Sequence, residues 1–140
     1  MRVVLDSNVI VSGSISAQGA PGQILSAWEE GDFQLIVSPA LLAEYRRALG
    51  YDRVRARHQK DDEELDEFVA RFARFGVLTV PHTSISIITD DPDDNLILEC
   101  AESGGATHIV SGDPHLLRLE SFQGIPILTP RAFIDLLGDG

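Results

Sequence analysis

The sequence predicts an α/β protein, a three-layer α/β/α fold on a mostly parallel central sheet of about five strands. Strand-like and helix-like segments alternate from end to end, the signature of βαβ units. The opening run "RVVLD" is β-branched and continuously apolar, as a strand covered on both faces must be. Helix-start and helix-stop residues fall at the segment boundaries, Ser38 before Pro39 and Gly50 after Leu49 being the plainest.

After the first strand, residues 12–19 are rich in Gly and Ser and read as a loop; Pro21 then opens a helix over 21–28. "FQLIVS" at 33–38 is the second strand. Ser38 caps the helix "PALLAEYRRAL", which Gly50 ends. A polar run, "RARHQKDDEE", leads into the clearest amphipathic helix, residues 61–76. Leu65, Phe68, Val69, Phe72 and Phe75 recur there at helical spacing. Asp61, Asp62, Glu63, Glu64 and Glu67 load its N-terminal end, as the helix dipole favours. Gly76 stops it, and "VLTV" reads as a short strand. A further helix follows "DPDDN" and runs to Gly104 and Gly105. "THIVSGD" is a strand with a polar exit, "PHLLRL" a short helix, "IPIL" the last strand and "PRAFIDLL" the closing helix.

A chain of 140 residues is expected to form one domain, residues 1–140, with a sizeable core. No repeat or linker marks a second unit. Cys100, the single cysteine, lies among helical apolar residues and reads as a buried core thiol. With no internal disulfide available, no signal-peptide pattern and no apolar run near the ~20 residues of a membrane span, a cytoplasmic location is expected. The formal charge of −11 weighs against binding nucleic acid through a generally basic surface. The sign is uneven, however: six of the eleven Lys and Arg residues are Arg46, Arg47, Arg53, Arg55, Arg57 and Lys60. Nucleic-acid binding would depend on that patch and on bound cations.

In open α/β sheets, function gathers outside the carboxyl ends of the strands, where strand order reverses. Asp6 stands at the end of the first strand, Asp113 just past "THIVSG", and Asp94 at the start of the helix preceding that strand. Glu44, in the second turn of its helix, borders the stripe Leu41, Tyr45 and Ala48 and can point inward. Each acid alone has a plainer reading. Asp6 and Asp113 suit caps or turns, Asp91 and Asp93 suit cap and dipole positions, and Asp90 suits a solvated one. Their joint placement favours a cation. Converging carboxylates repel, a divalent ion removes the conflict, and oxygen donors select hard ions such as Mg²⁺ or Mn²⁺. His58, His82, His108 and His115 show no paired zinc-ligand spacing.

The order "LDSNVIVSG", "SPALLAEYRRAL", "DPDDNLILECA", "IVSGDPHLL" and "IPILTP" resembles a PIN domain over nearly the whole chain, and is similar to bacterial VapC-type toxins. Motif by motif, the resemblance puts Asp6 and Asn8 in the first acidic motif, Glu44 as the helix glutamate and Asp94 as the third acid. Ser111 with Asp113 takes the fourth position, and Ser7 stands where threonine is commoner but keeps the hydroxyl. It implies a five-stranded parallel sheet and an endoribonuclease dependent on Mg²⁺ or Mn²⁺. Asp6, Glu44, Asp94 and Asp113 would hold the ion, with Asn8 and Ser111 supporting them. It also implies an RNA substrate, a small antitoxin partner and a homodimer. Arg46, Arg47, Arg53, Arg55 and Arg57 are candidates for flanking phosphates, and equally for a solvated helix face or a partner-binding surface; Tyr45 and Tyr51 near them suit base stacking or, more commonly, core packing.

Two rival readings stand beside this one. A receiver-like or phosphatase-like site also places aspartates at strand ends, but it needs a lysine after a later strand. The only lysine here is Lys60, in the polar run. A PIN-like module acting mainly by binding a partner protein is favoured by the acidic charge and disfavoured by the retention of all four acids.

Overall fold

The structure is a computed structural model and describes residues 1–87 and 92–139; the expectations for Asp90 and Asp91 fall outside the described residues. The first half comprises β1 (Arg2–Leu5), α1 (Ser7–Ile15), α2 (Ala20–Glu29), β2 (Gln34–Val37), α3 (Pro39–Leu49), α4 (Asp52–His58) and α5 (Asp62–Phe75). There follow β3 (Val77–Leu78), a 3₁₀ turn (Pro92–Asp94), α6 (Asn95–Gly104), β4 (His108–Val110) and α7 (Pro114–Leu117). The chain closes with β5 (Ser121–Phe122), β6 (Ile125–Leu128) and α8 (Pro130–Asp139).

The strands form one sheet in the order β3-β2-β1-β4-β6-β5, parallel except for the β5–β6 pair. Val3, Val4 and Leu5, and likewise Leu35, Ile36 and Val37, are all 0% exposed. Successive strand residues point to opposite faces, so both faces of the sheet are covered, giving the predicted three-layer α/β/α arrangement. The chain builds outward from β1 through β2 to β3, then crosses back to lay β4 on the other side of β1. Strand order therefore reverses between β1 and β4. Leu5 is paired with Val110, and the Asp6 N–H donates to the Val110 carbonyl at 2.9 Å. This extra rung brings the side chains leaving β1 and β4 out together.

Three differences from the sequence reading have physical causes. The sheet has six strands rather than about five, because β5 folds back on β6 through Gln123 (φ 51) and Gly124 (φ 80). Two residues in left-handed conformation suit a tight hairpin turn, but a two-residue strand shows no periodicity. The expected loop over 12–19 begins instead as α1, which Asp6 caps and which buries Val9 and Ile10. Gly13 belongs to that helix because a Cβ there would stand 2.6 Å from Leu25 Cδ1 on α2. The polar run after Gly50 contains α4. It buries Val54 and is held by Arg55 Nε donating to the Gly50 carbonyl at 3.0 Å and by His58 Nε2 against the Leu49 carbonyl at 2.9 Å.

On α5 a complete capping box joins Asp61 and Glu64, as the acidic start suggests. Phe72 is buried and packs against Trp28, Tyr45 and Phe68, with ring centroids 5.1, 5.7 and 5.2 Å away. Burying one such ring contributes roughly 1.5–3 kcal/mol. Phe75 does not join this stripe; the last turn of α5 leaves it 65% exposed. Cys100 is the core thiol expected, and burial pushes it up to about 12. No helix among the described residues is long and apolar enough to cross a membrane.

Candidate metal centre

Asp6, Glu44, Asp94 and Asp113 line one cavity of about 200 Å³, together with Ser7, Asn8, Tyr51, Asp93 and Ile97. Four separate elements supply the four acids. Asp6 leaves β1, Glu44 projects from α3, Asp94 ends the 3₁₀ turn before α6, and Asp113 follows β4. The site lies at the strand-order reversal, where the fold class places ligands.

Asp6 is the most tightly held. Its Oδ1 accepts from the Ser7 N–H at 2.7 Å, and its Oδ2 accepts from Asn8 Nδ2 at 3.1 Å and Ser111 Oγ at 2.6 Å. Burial holds its carboxyl above the usual range; the hydrogen bonds from Ser111 and Ser7 pull it back, and the charge on Asp113 adds to the rise. Ser111 is buried and also accepts from the Asp113 N–H at 2.9 Å, while Asn8 Oδ1 accepts from the Gly112 N–H at 3.1 Å. These two neutral residues therefore tie the exit of β1 to the exit of β4. The plainer cap readings also hold for two acids. Asp6 caps α1, and Asp113 caps α7 by accepting from the His115 N–H at 2.8 Å.

Asp94 differs: it is buried at 5% exposure, and its side chain makes no capping hydrogen bond to α6. Helix capping does not account for its position. Glu44, with only 14% of its side chain exposed, pairs with Arg47 one turn along α3. Asp93, read as a dipole partner, is exposed on the cavity wall.

The basic patch is divided. Arg46 reaches Asp66 at 2.7 Å and Asp62 at 3.1 Å, and Arg55 also pairs with Asp62, so both clamp α5 rather than face solvent as unpaired cations. Arg53 and Arg57 are exposed and make no ion pair among the described residues. Of the two tyrosines, Tyr45 is core, its hydroxyl donating to the Leu5 carbonyl. Tyr51 is half-exposed on the cavity rim.

His115, set aside by the sequence reading, lies beside the acids. Its Nδ1 is 3.6 Å from Asp113 Oδ1 and 4.0 Å from Asp94 Oδ2. Donor atoms of Asp94, Asp113 and His115 all lie within 4.8 Å of one another. The spacing from Asp113 to His115 matches no zinc motif, and only the fold of 111–115 brings the ring to the acids. Carboxylate oxygens converging in a polar cavity are the donor chemistry of a divalent cation. A larger groove of about 410 Å³, between Trp28, Phe33 and Phe75, is mainly apolar, and its Arg71 is already paired with Glu29 at 2.9 Å. It gathers no comparable set of reactive groups.

The uncharacterized protein MJ1680 of Methanocaldococcus jannaschii is 26% identical over 146 residues, covering 96% of this chain and 90% of that protein. The fold is similar to VapBC2 from Rickettsia felis, solved bound to a DNA fragment from their promoter. That match has a TM-score of 0.62 at 13% identity, over 92% of this chain and 98% of that one. It is also similar to a domain of a functionally unknown Methanocaldococcus jannaschii protein, with a TM-score of 0.51 at 18% identity over 90% and 88% of the two chains. The family model described as PIN domain matches residues 2–115, which carry all four acids, and the chain belongs to the PIN domain family.

Proposed function

We propose that this protein is a divalent-metal-dependent endoribonuclease, acting as the toxin of a toxin–antitoxin pair. PIN domains are generally nucleases, and one observation supports the reading here above the rest: carboxylates from four separate elements line a single polar cavity at the reversal of strand order. Asp6, Glu44, Asp94 and Asp113 would hold one or two ions of Mg²⁺ or Mn²⁺. When bound, such an ion supplies an acidified water and neutralises charge developing on a phosphate.

The chain's own residues do the rest. Ser111 and Asn8 fix the Asp6 carboxylate, so the site is organised before substrate arrives. Arg47 offsets the charge of Glu44. Tyr51 offers a ring face at the rim to a nucleobase, and the exposed Arg53 and Arg57 would take flanking phosphates. The fold shared with VapBC2 supports an antitoxin partner, and a cytoplasmic homodimer completes the proposal.

The test is direct. Purified protein incubated with defined RNAs should cut them in Mn²⁺ or Mg²⁺ and not in chelator, with the cut ends mapped. Asp6→Asn and Asp94→Asn should each abolish cleavage while leaving circular dichroism unchanged. Metal-independent cleavage, or full activity in Asp94→Asn free of contaminating nuclease, would remove the metal site from the chemistry.

A further inference from the structure

We propose that His115 is a direct ligand of the bound cation through Nδ1, and that this nitrogen biases the site toward Mn²⁺ over Mg²⁺. The inference rests on the cation site proposed above and adds to it the identity of one donor and its consequence for metal choice.

Geometry supplies the first argument. The Asp113 carboxylate accepts from the backbone N–H of His115 at 2.8 Å, which folds the start of α7 back on itself. The imidazole is thereby laid against the acids, with Nδ1 at 3.6 Å from Asp113 Oδ1 and 4.0 Å from Asp94 Oδ2. Two donors on opposite sides of an ion at about 2.1 Å stand about 4.2 Å apart. Both measured separations fall within that span, so one ion can touch the ring and either carboxylate. Loop 111–113 is also held in place, by Ser111 and Asn8, so the ring is delivered by a fixed segment.

Donor chemistry supplies the second. Mg²⁺ favours oxygen and dehydrates reluctantly, whereas first-row transition ions accept imidazole readily. A set of Asp94, Asp113 and His115 is thus a mixed oxygen–nitrogen site, where a purely carboxylate cluster would favour neither class by donor type. The neutral ring also adds a ligand without adding negative charge to a crowded group of acids.

The probe is Mn²⁺ itself, added to the full chain without RNA. Pulsed electron paramagnetic resonance of bound Mn²⁺ should show coupling to an imidazole nitrogen. His115→Gln should remove that coupling and weaken Mn²⁺ binding by about tenfold or more, with Mg²⁺ binding changed far less, both read by calorimetry. The wild-type spectrum tests ligation even if the variant folds poorly. Bound Mn²⁺ without nitrogen coupling overturns the role of His115 and leaves the carboxylate site standing. Absence of any Mn²⁺ binding, or its persistence unchanged in a variant lacking both Asp6 and Asp94, overturns the site and this inference together.

Discussion

Asp94 is where the choice between a helix cap and a metal residue becomes sharp. Asn caps a helix about as well as Asp, so a capping role predicts a near-neutral Asp94→Asn change under all conditions. A buried carboxylate in a group of like charges predicts otherwise. In chelator, Asp94→Asn should melt above wild type, by about 1 kcal/mol for one repulsion relieved at about 4 Å under water-like screening. Millimolar Mn²⁺ should reverse the order, because an ion bound only by the native state stabilises it by mass action. Melting curves that keep the same order in both conditions would make Asp94 structural. Ser111 makes a second claim. Its hydroxyl donates to Asp6 and accepts from the Asp113 N–H, so Ser111→Ala strips a partner from each. Urea denaturation should show a loss of about 1–3 kcal/mol, the range for leaving buried polar groups short of a bond. A loss below a few tenths would mean that Asn8 and the backbone rung from Asp6 to Val110 hold the two exits without Ser111.

Between elements, α1 and α2 approach closely at Gly13. A Cβ on Gly13 would meet Leu25 at 2.6 Å, so Gly13→Ala should destabilise despite the gain in helix propensity of about 1 kcal/mol. In a Leu25→Ala background the same change should become neutral or favourable. Equal effects in both backgrounds, measured by chemical denaturation, would show that the helices separate freely. The junction of α3, α4 and α5 separates two kinds of arginine. Arg46 and Arg55 hold the acidic start of α5, and burial and pairing leave little for a ligand. Replacing exposed Arg53 and Arg57 with Ala should therefore flatten the salt dependence of RNA binding, since counterion release scales with phosphates neutralised. An unchanged slope in filter-binding titrations would assign those two side chains to a protein partner or to solvent.

Across the folded protein, His108 links stability to pH away from the acidic cavity. Burial, with the N-terminal ammonium second, holds its imidazole below the usual range, while it contacts Thr107 at 2.8 Å and the Phe133 ring at 6.2 Å. Because the folded value lies below the unfolded one, the unfolded chain takes a proton that the folded chain refuses. The stability is complete above the unfolded value of about 6.5 and declines as pH falls through it. Melting temperatures of wild type and His108→Gln should diverge below that pH in favour of the variant. A constant difference from pH 8 to pH 5 would place the titration elsewhere.

Local chemistry wrote the class of this fold and most of its acids into the chain. The continuous apolar runs at 3–5 and 35–37 require a sheet covered on both faces, and Ser38 and Asp61 mark helix starts by accepting from N–H groups near in sequence, Pro39 by having no N–H to satisfy. Strand ends followed by aspartate therefore mark Asp6 and Asp113. Tertiary structure alone decided which groups meet. Gly13 looks like a loop residue until α2 comes within contact, and α4 has little apolar pattern because polar contacts hold it, Arg55 and His58 on the Gly50 and Leu49 carbonyls and Arg55 on Asp62. His115 carries no ligand spacing, since its neighbours Asp94 and Asp113 arrive from a different helix start and from the backbone turn of 111–115. Helix and strand signals are short-range and periodic. Convergence of side chains depends on how the sheet orders its strands, and here the crossover that sets β4 against β1 brings the acids together.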